Sequence, residues 1–456
     1  MSRSDQAPPP ETWALARRAA AAIASPIQRI LAIEAASGVV LLVVTAVALA
    51  WANLWSASYA SLWHTPIGLQ LGGWSYVQPL HFWVNDGLMT IFFFVVGLEI
   101  RREIFEGELA SFKKAALPLS AAVGGMLIPA AIFAIFNHGR SGSAGWAIPM
   151  ATDIAFAVGV LTLLGSRVPV ALRVLLLALA VIDDIGAIIV IAIFYSAGIA
   201  PEGLILIGAG LAAVLAMRGA GVRAPVLYLV PGTVIWAGFL VFGVHPTIAG
   251  VMLGLIAPVR PWFGPSGFAE TTQAQLEKLP EDDKGALLLS LDLINEARRE
   301  AVSPVERLIH TLHPWVAFVV MPVFALANAG VVLGGASISG DGLWLFIGIV
   351  AGLAVGKPLG IAAAALGASR FGIATRSGDM SRKGVLLVGF VGGIGFTMSL
   401  FIAQLAFPPG PLLDTAKLAI LVGSAVAIVI GLVFGATFGR SPAAPAEPTP
   451  ETSADS

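Results

Sequence analysis

The sequence has no cysteine among its 456 residues, so disulfides, thiolate metal centres and thiol catalysis are excluded. Charge is scarce too, with 12% Asp, Glu, Lys and Arg against 57% hydrophobic residues and a mean hydropathy of +0.88. Soluble domains carry about 25% charged residues, so the composition is that of an integral membrane protein. There is no basic excess, since 26 Lys and Arg face 27 Asp and Glu, and the basic residues are spread between apolar runs. A nucleic-acid partner is therefore not expected. Histidines number six, and His64, His81 and His138 show no metal-ligand spacing. Residues 1–35 carry Arg3, Arg17, Arg18 and Arg29 but lack a short apolar core with a small-residue cleavage site. The run from Ser37 to Leu54 is accordingly read as an uncleaved span. No phosphate-cradling loop or hydrolytic triad is present.

What the chain does have is apolar runs long enough to cross a bilayer. Twelve are predicted, at 36–55, 82–104, 115–136, 145–164, 170–197, 202–217, 225–243, 245–259, 313–335, 342–366, 384–407 and 412–438. The fold class is an all-α polytopic membrane protein of about twelve transmembrane helices. With the N-terminus inside, every Lys and Arg except Arg140, Lys357 and Lys417 falls on the cytoplasmic side or its edge. Both termini are thus expected to be cytoplasmic. The expected organisation is a cytoplasmic segment 1–35, a membrane domain 36–438 and a disordered, Pro-, Ala- and acid-rich tail 439–456. Inside the membrane domain, residues 67–77 (IGLQLGGWSYV) form two alternating runs around Gly72 and Gly73, the signal of an extracytoplasmic β-hairpin. Its expected use is pairing with a second copy in a homodimer, because a lone hairpin is marginal; a solvated loop is the other reading. Residues 260–311 read as a charged cytoplasmic segment.

Few ionisable residues lie deep in the spans: Asp153, Asp183, Asp184 and Lys357. A carboxylate at mid-membrane costs roughly 2.5 to 3.5 kcal/mol on insertion scales, so an adjacent pair needs something to bind or neutralise it. Neighbours on a helix point about 100° apart, which lets both reach one cavity. Asp183 and Asp184 are therefore read as a cation or proton site. In the fourth span, Pro149 and the Thr152-Asp153 pair predict a helix that stops near Pro149 and restarts at Ile154, with Asp153 facing its positive end. In the eleventh, Gly389, Gly392, Gly393 and Gly395 weaken the helix at the same depth. Irregular backbone there is tolerated only when it is buried in protein or lines a cavity. Two broken spans in corresponding halves point to a transporter's binding site. With like ends facing each other, Asp153 suits the paired N-termini and Lys357 the paired C-termini. Lys357 is also expected to pair with Asp183 or Asp184 when no ion is bound.

Taken together these motifs resemble the NhaA-type sodium/proton antiporters over residues 30–440. The resemblance rests on VNDGLMTIFFFVVGLEIRREI at 84–104, ATDIAFAVGVL at 151–161 and VIDDIGAIIVIA at 181–192. It extends through GVHPTIAGV at 243–251, LHPWVAF and FALANAGV within 312–331, GKPLG at 356–360 and GGIGFTMSLFIA at 392–403. It implies an electrogenic exchanger of two protons for one sodium or lithium ion, in a bacterial inner membrane, without a cofactor. It also implies an inverted repeat relating spans three to five to spans ten to twelve. By similarity, Asp183 and Asp184 are the ion-binding and proton-carrying pair, with Thr152 and Asp153 close by and Lys357 as the buried lysine. Glu99, Arg102, Glu103, His310 and His313 match the region to which pH activation is attributed; a solvated helix end with ordinary ion pairs is the other reading of the first three. The hairpin falls at the family's dimer contact. In departures from the pattern, Ile309 stands where an acid often precedes the histidine, Arg101 stands where a lysine is common, and Pro246 follows His245.

Physically, two adjacent carboxylates in a low-dielectric cavity repel, so without a cation the pair holds at least one proton. Sodium and protons would then compete for one site, and alternating exposure of that site yields exchange. Other readings are a cation/proton exchanger of different ion preference or an electroneutral cycle, and, more distantly, an intramembrane aspartyl enzyme. Proteolysis would need the two aspartates on separate helices, whereas here they are adjacent.

Overall fold

A computed structural model describes residues 34–438 apart from 197, 199, 262, 278–283, 337 and 375–379. The tail from 439 and the N-terminal segment before 34 lie outside the described residues. The chain opens with α1 (Glu34–Leu54) and the short α2 (Ser56–Trp63), then a hairpin of β1 (Pro66–Leu71) and β2 (Trp74–Pro79). Its antiparallel register runs from Pro66 opposite Pro79 to Leu71 opposite Trp74, turning at Gly72 and Gly73. The indole Nε1 of Trp83 donates to Ile67 O at 2.8 Å and ties the hairpin to the following helix.

Next come α3 (Leu80–Phe105), α4 (Phe112–Asn137), a 3₁₀ helix (Ser141–Met150), α5 (Ile154–Leu164) and α6 (Val170–Phe194). Then α7 (Glu202–Gly219), α8 (Pro225–Phe242) and α9 (Ile248–Ile256) lead to α10 (Gly264–Glu277) and α11 (Lys284–Glu300). The last group is α12 (Pro304–Asn328), α13 (Asp341–Arg370), α14 (Arg382–Gly392), α15 (Phe396–Ala406) and α16 (Pro411–Ala436). Among the described residues nine helices are long and apolar enough to cross a membrane, or eleven if each of two bent helix pairs is one span. The predicted eighth span is a nine-residue helix, α9, only about 14 Å long at 1.5 Å per residue. The twelve-span expectation therefore stands at nine to eleven. The bundle is clad in apolar side chains: Ile135 is 78% exposed, Val170 74% and Ile205 73%. Such a surface is intolerable in water and ordinary in lipid, so the chain is a multi-pass membrane protein.

The sequence also placed the ninth span too late. Its helix begins at Pro304, nine residues before the predicted start, because Ser303 caps it: Ser303 Oγ accepts from Glu306 N at 3.2 Å. The Ser-x-x-Glu pattern with proline at the first helical position is a start signal that outweighs the charged composition around it. Three spans contain π-helical turns, at Trp83–Leu88 in α3, Val316–Val320 in α12 and Gly352–Gly356 in α13.

Among the described residues one large core and three small clusters result. One small cluster joins α7, α8 and α9 through Ile207, Val214, Ile235, Phe239 and Ala249. In the large core, the second half of α13 runs along α4 and α14, α16 covers α13, α14 and α15, and α6 lies against α3, α4 and α14. Asp153, Asp183, Asp184 and Lys357 are buried on elements of this large core.

Candidate functional site

Two breaks in the backbone build the site. The 3₁₀ helix ends at Met150 and α5 starts at Ile154, with a bend of 46° between them. On the other side α14 ends at Gly392 and α15 starts at Phe396, with a bend of 48°. Asp153 N donates to Ile394 O at 2.7 Å, so the two breaks are stitched together. Gly393 allows this approach: a Cβ there would sit 2.4 Å from Leu353 O.

Asp153 caps both restarting helices. Its Oδ1 accepts from Phe156 N at 3.1 Å in α5, and its Oδ2 accepts from Thr397 N at 3.1 Å and from the Thr397 hydroxyl in α15. One carboxylate thus satisfies orphan N–H groups at two helix N-termini, where the helix dipoles favour an anion. Lys357 lies at the opposite ends. Its Nζ donates to Met150 O, the last residue of the 3₁₀ helix, and lies 2.7 Å from Asp183 Oδ2. Thr152 Oγ1 is 2.6 Å from the same Asp183 oxygen and 2.9 Å from Gly392 O, the end of α14.

Asp183 and Asp184 project from the middle of α6 into this crossing, both buried. Their partners differ. Asp183 Oδ2 takes Lys357 and Thr152, while its Oδ1 is buried with no hydrogen-bond partner. Asp184 has no hydrogen bond or ion pair among the described residues, and the charges that reach it are Glu99, Asp183, Asp153 and Lys357. The site therefore brings three carboxylates and one ammonium together with unused acceptor oxygen. That is the donor set of a small hard cation or of protons. Among the described residues, this cluster included, no group of three or more His, Asp or Glu side chains is placed to hold a metal ion in common.

Thr152, Asp153, Asp183, Asp184 and Lys357 thus come together as one cluster. The residues matched to pH activation lie apart from it, on neighbouring elements: α12 packs through Pro304–Trp315 against Met89–Phe105 of α3. Arg102 and Glu103 pair at 3.7 Å, Glu103 Oε2 accepts from Glu108 N at 3.0 Å, and His310 and His313 are exposed. Of the five, Glu99 alone reaches Asp184 electrostatically. Ile309 is buried beside Leu98 and Val305, so the departure from the acidic pattern is an apolar contact between α12 and α3.

Sequence reasoning missed Thr397 and the carbonyls of Met150 and Gly392. Thr397 carried a signal, a hydroxyl just after the Gly392–Gly395 run, whereas carbonyls carry none. It also missed the pair of His245 Nε2 and Asp86 Oδ1, 3.2 Å apart beside the π-helical turn of α3.

The Na+/H+ antiporter 1 family pattern matches residues 28–434. The chain belongs to that family. It is 55% identical to the Na(+)/H(+) antiporter NhaA 2 of Sorangium cellulosum, over 94% of this chain and 93% of that one. The NhaA 2 antiporter of Myxococcus xanthus is 52% identical over 94% of this chain and 92% of its own. The NhaA antiporter of Bartonella tribocorum is 48% identical over 90% and 92%. These relatives are named as transporters and not as enzymes.

Proposed function

We propose that the chain exchanges sodium or lithium for protons across a bacterial inner membrane by competition at Asp183 and Asp184. The observation that carries this reading is the contrast between the two neighbours: Asp183 is paired with Lys357 at 2.7 Å, while Asp184 has no partner among the described residues. A sodium ion that enters between them takes the place of the ammonium on Asp183 and of a proton on Asp184. Lys357 then retains only Met150 O, and a buried ammonium without its counter-ion is costly, so its proton leaves as well. Two protons are released for one cation bound, and the charge balances as one net positive charge moved per cycle. The membrane potential then contributes about 2.3 kcal/mol per 100 mV to extrusion. Thr152 and Asp153 complete the site, Thr152 as an oxygen donor and Asp153 by holding the two restarting helices together.

Alternating access follows if the stitched breaks move as a unit against α3 and α12, exposing the site to one side at a time. The breaks are read as interrupted spans within an inverted repeat, with α9 completing a twelve-span bundle. The distribution of Lys and Arg supports cytoplasmic termini, and the hairpin supports a homodimer paired edge to edge. No cofactor is required, and Glu99, Arg102, Glu103, His310 and His313 form the cytoplasmic mouth where pH acts. The test is proton release from inside-out vesicles on adding sodium, lithium or potassium. Release with sodium and lithium, lost in Asp184→Asn, is expected; undiminished release by that variant would remove Asp184 from the site.

A further inference from the structure

A second polar cluster lies at the hairpin end of the bundle. Gln404, in the last turn of α15, donates through Nε2 to Asn328 Oδ1 at the end of α12. The same Oδ1 lies 3.0 Å from His81 Nε2 at the start of α3. Asn328 Nδ2 donates to Asn85 Oδ1 at 2.8 Å and to Phe324 O at 3.0 Å. Asn85 Nδ2 in turn lies 3.2 Å from both ring nitrogens of His81, closing the chain of side chains back on the imidazole. Asn85 and Asn328 are buried and His81 is half-buried, within reach of water.

The donors and acceptors allow one assignment. Asn328 Oδ1 accepts from Gln404, so the His81 nitrogen facing it carries the proton and donates as well. The Asn85 amide nitrogen, 3.2 Å from both ring nitrogens, lies over the imidazole face and not on an in-plane lone pair. Asn328 is therefore the hub that ties α15, α12 and α3 together.

Its position gives this consequence. Helix α15 is held at its start by Thr397 on Asp153 and at its end by Gln404 on Asn328. One end belongs to the ion site and the other to the ring of amides. We propose that Gln404 and Asn328 are positioning residues for exchange, pinning α15 to α12 and, through His81 and Asn85, to α3. The inference rests on the exchange reading above.

The test uses the full chain in proteoliposomes, with sodium-driven proton flux measured over a range of sodium concentrations at fixed pH on both sides. Gln404→Leu is expected to raise the apparent KM for sodium on the order of fivefold, the value of one hydrogen bond, with little change in maximal rate. His81→Leu, which removes the α3 arm of the same pin, is expected to shift KM in the same direction. Gln404→Met, which keeps the chain length, replaces Gln404→Leu if that variant does not reach the membrane. A wild-type KM in the Gln404 variant overturns the proposal. Absence of sodium-driven flux in the wild type would instead fell the exchange reading, a distinct failure.

Discussion

The two backbone breaks bend by nearly the same angle, 46° and 48°, yet they are built from different materials. The first, at Ala151–Asp153, supplies side chains: Thr152 reaches Asp183, and Asp153 caps both restarting helices. The second, at Gly393–Gly395, supplies mainly backbone and closeness, with Ile394 O as an acceptor and Gly393 packed where a methyl group would strike Leu353 O. Chemistry concentrates on one break, and the other is pared down so that it can be approached. Two strands of irregular backbone cannot both be bulky and cross at hydrogen-bonding distance. The asymmetry also explains why one acid suffices for two helix N-termini.

Substitutions at the crossing can break this comparison or sharpen it. The largest effect is expected from Lys357→Ala, which leaves Asp183 buried beside Thr152 without its counter-charge. A loss of roughly 3 to 5 kcal/mol in stability and exchange at background level should follow, read by thermal unfolding in detergent and by vesicle flux. Gly393→Ala tests the second break as a packing device. It should cost about 1 to 3 kcal/mol and lower the unfolding temperature, although it touches no charge. Thr397→Val removes one hydroxyl from Asp153 and keeps the backbone donor, so about 1 kcal/mol and a severalfold rise in sodium KM are expected. Ala151→Gly at the first break is the smallest, within about 0.5 to 1 kcal/mol, because extended backbone already accommodates a side chain there. Equal costs for Gly393→Ala and Ala151→Gly would erase the distinction between the breaks.

Much of this site was legible because charge is expensive in lipid. Asp153, Asp183, Asp184 and Lys357 stood out by rarity, and Pro149 with Thr152-Asp153 marked where one helix ends and the next begins. What the sequence could not show are partners that every residue possesses. Met150 O and Gly392 O are carbonyls, and nothing in the letters Met or Gly marks one as the seat of an ammonium or a hydroxyl. The glycines after α14 were read as helix weakeners, whereas at Gly393 a Cβ would collide with a neighbouring backbone. Span ends were misjudged where a cap outranked composition, as at Ser303. The eighth apolar run holds a helix of only nine residues, because apolar character persists on both sides of it. The ring of His81, Asn85, Asn328 and Gln404 escaped notice because its members are scattered across the sequence and only packing assembles them.

The central claim is that sodium and protons compete for Asp183 and Asp184. Sign and size follow from it: lowering the pH fills the site with protons, so sodium must be raised to displace them. The most direct measurement is the transient current of the reconstituted protein as a function of sodium concentration at a series of symmetrical pH values. The account predicts net charge movement with an apparent sodium KM that rises steadily as pH falls while the maximal current is retained at saturating sodium. A KM independent of pH, with the current instead switched off at every sodium concentration, would contradict competition at one site.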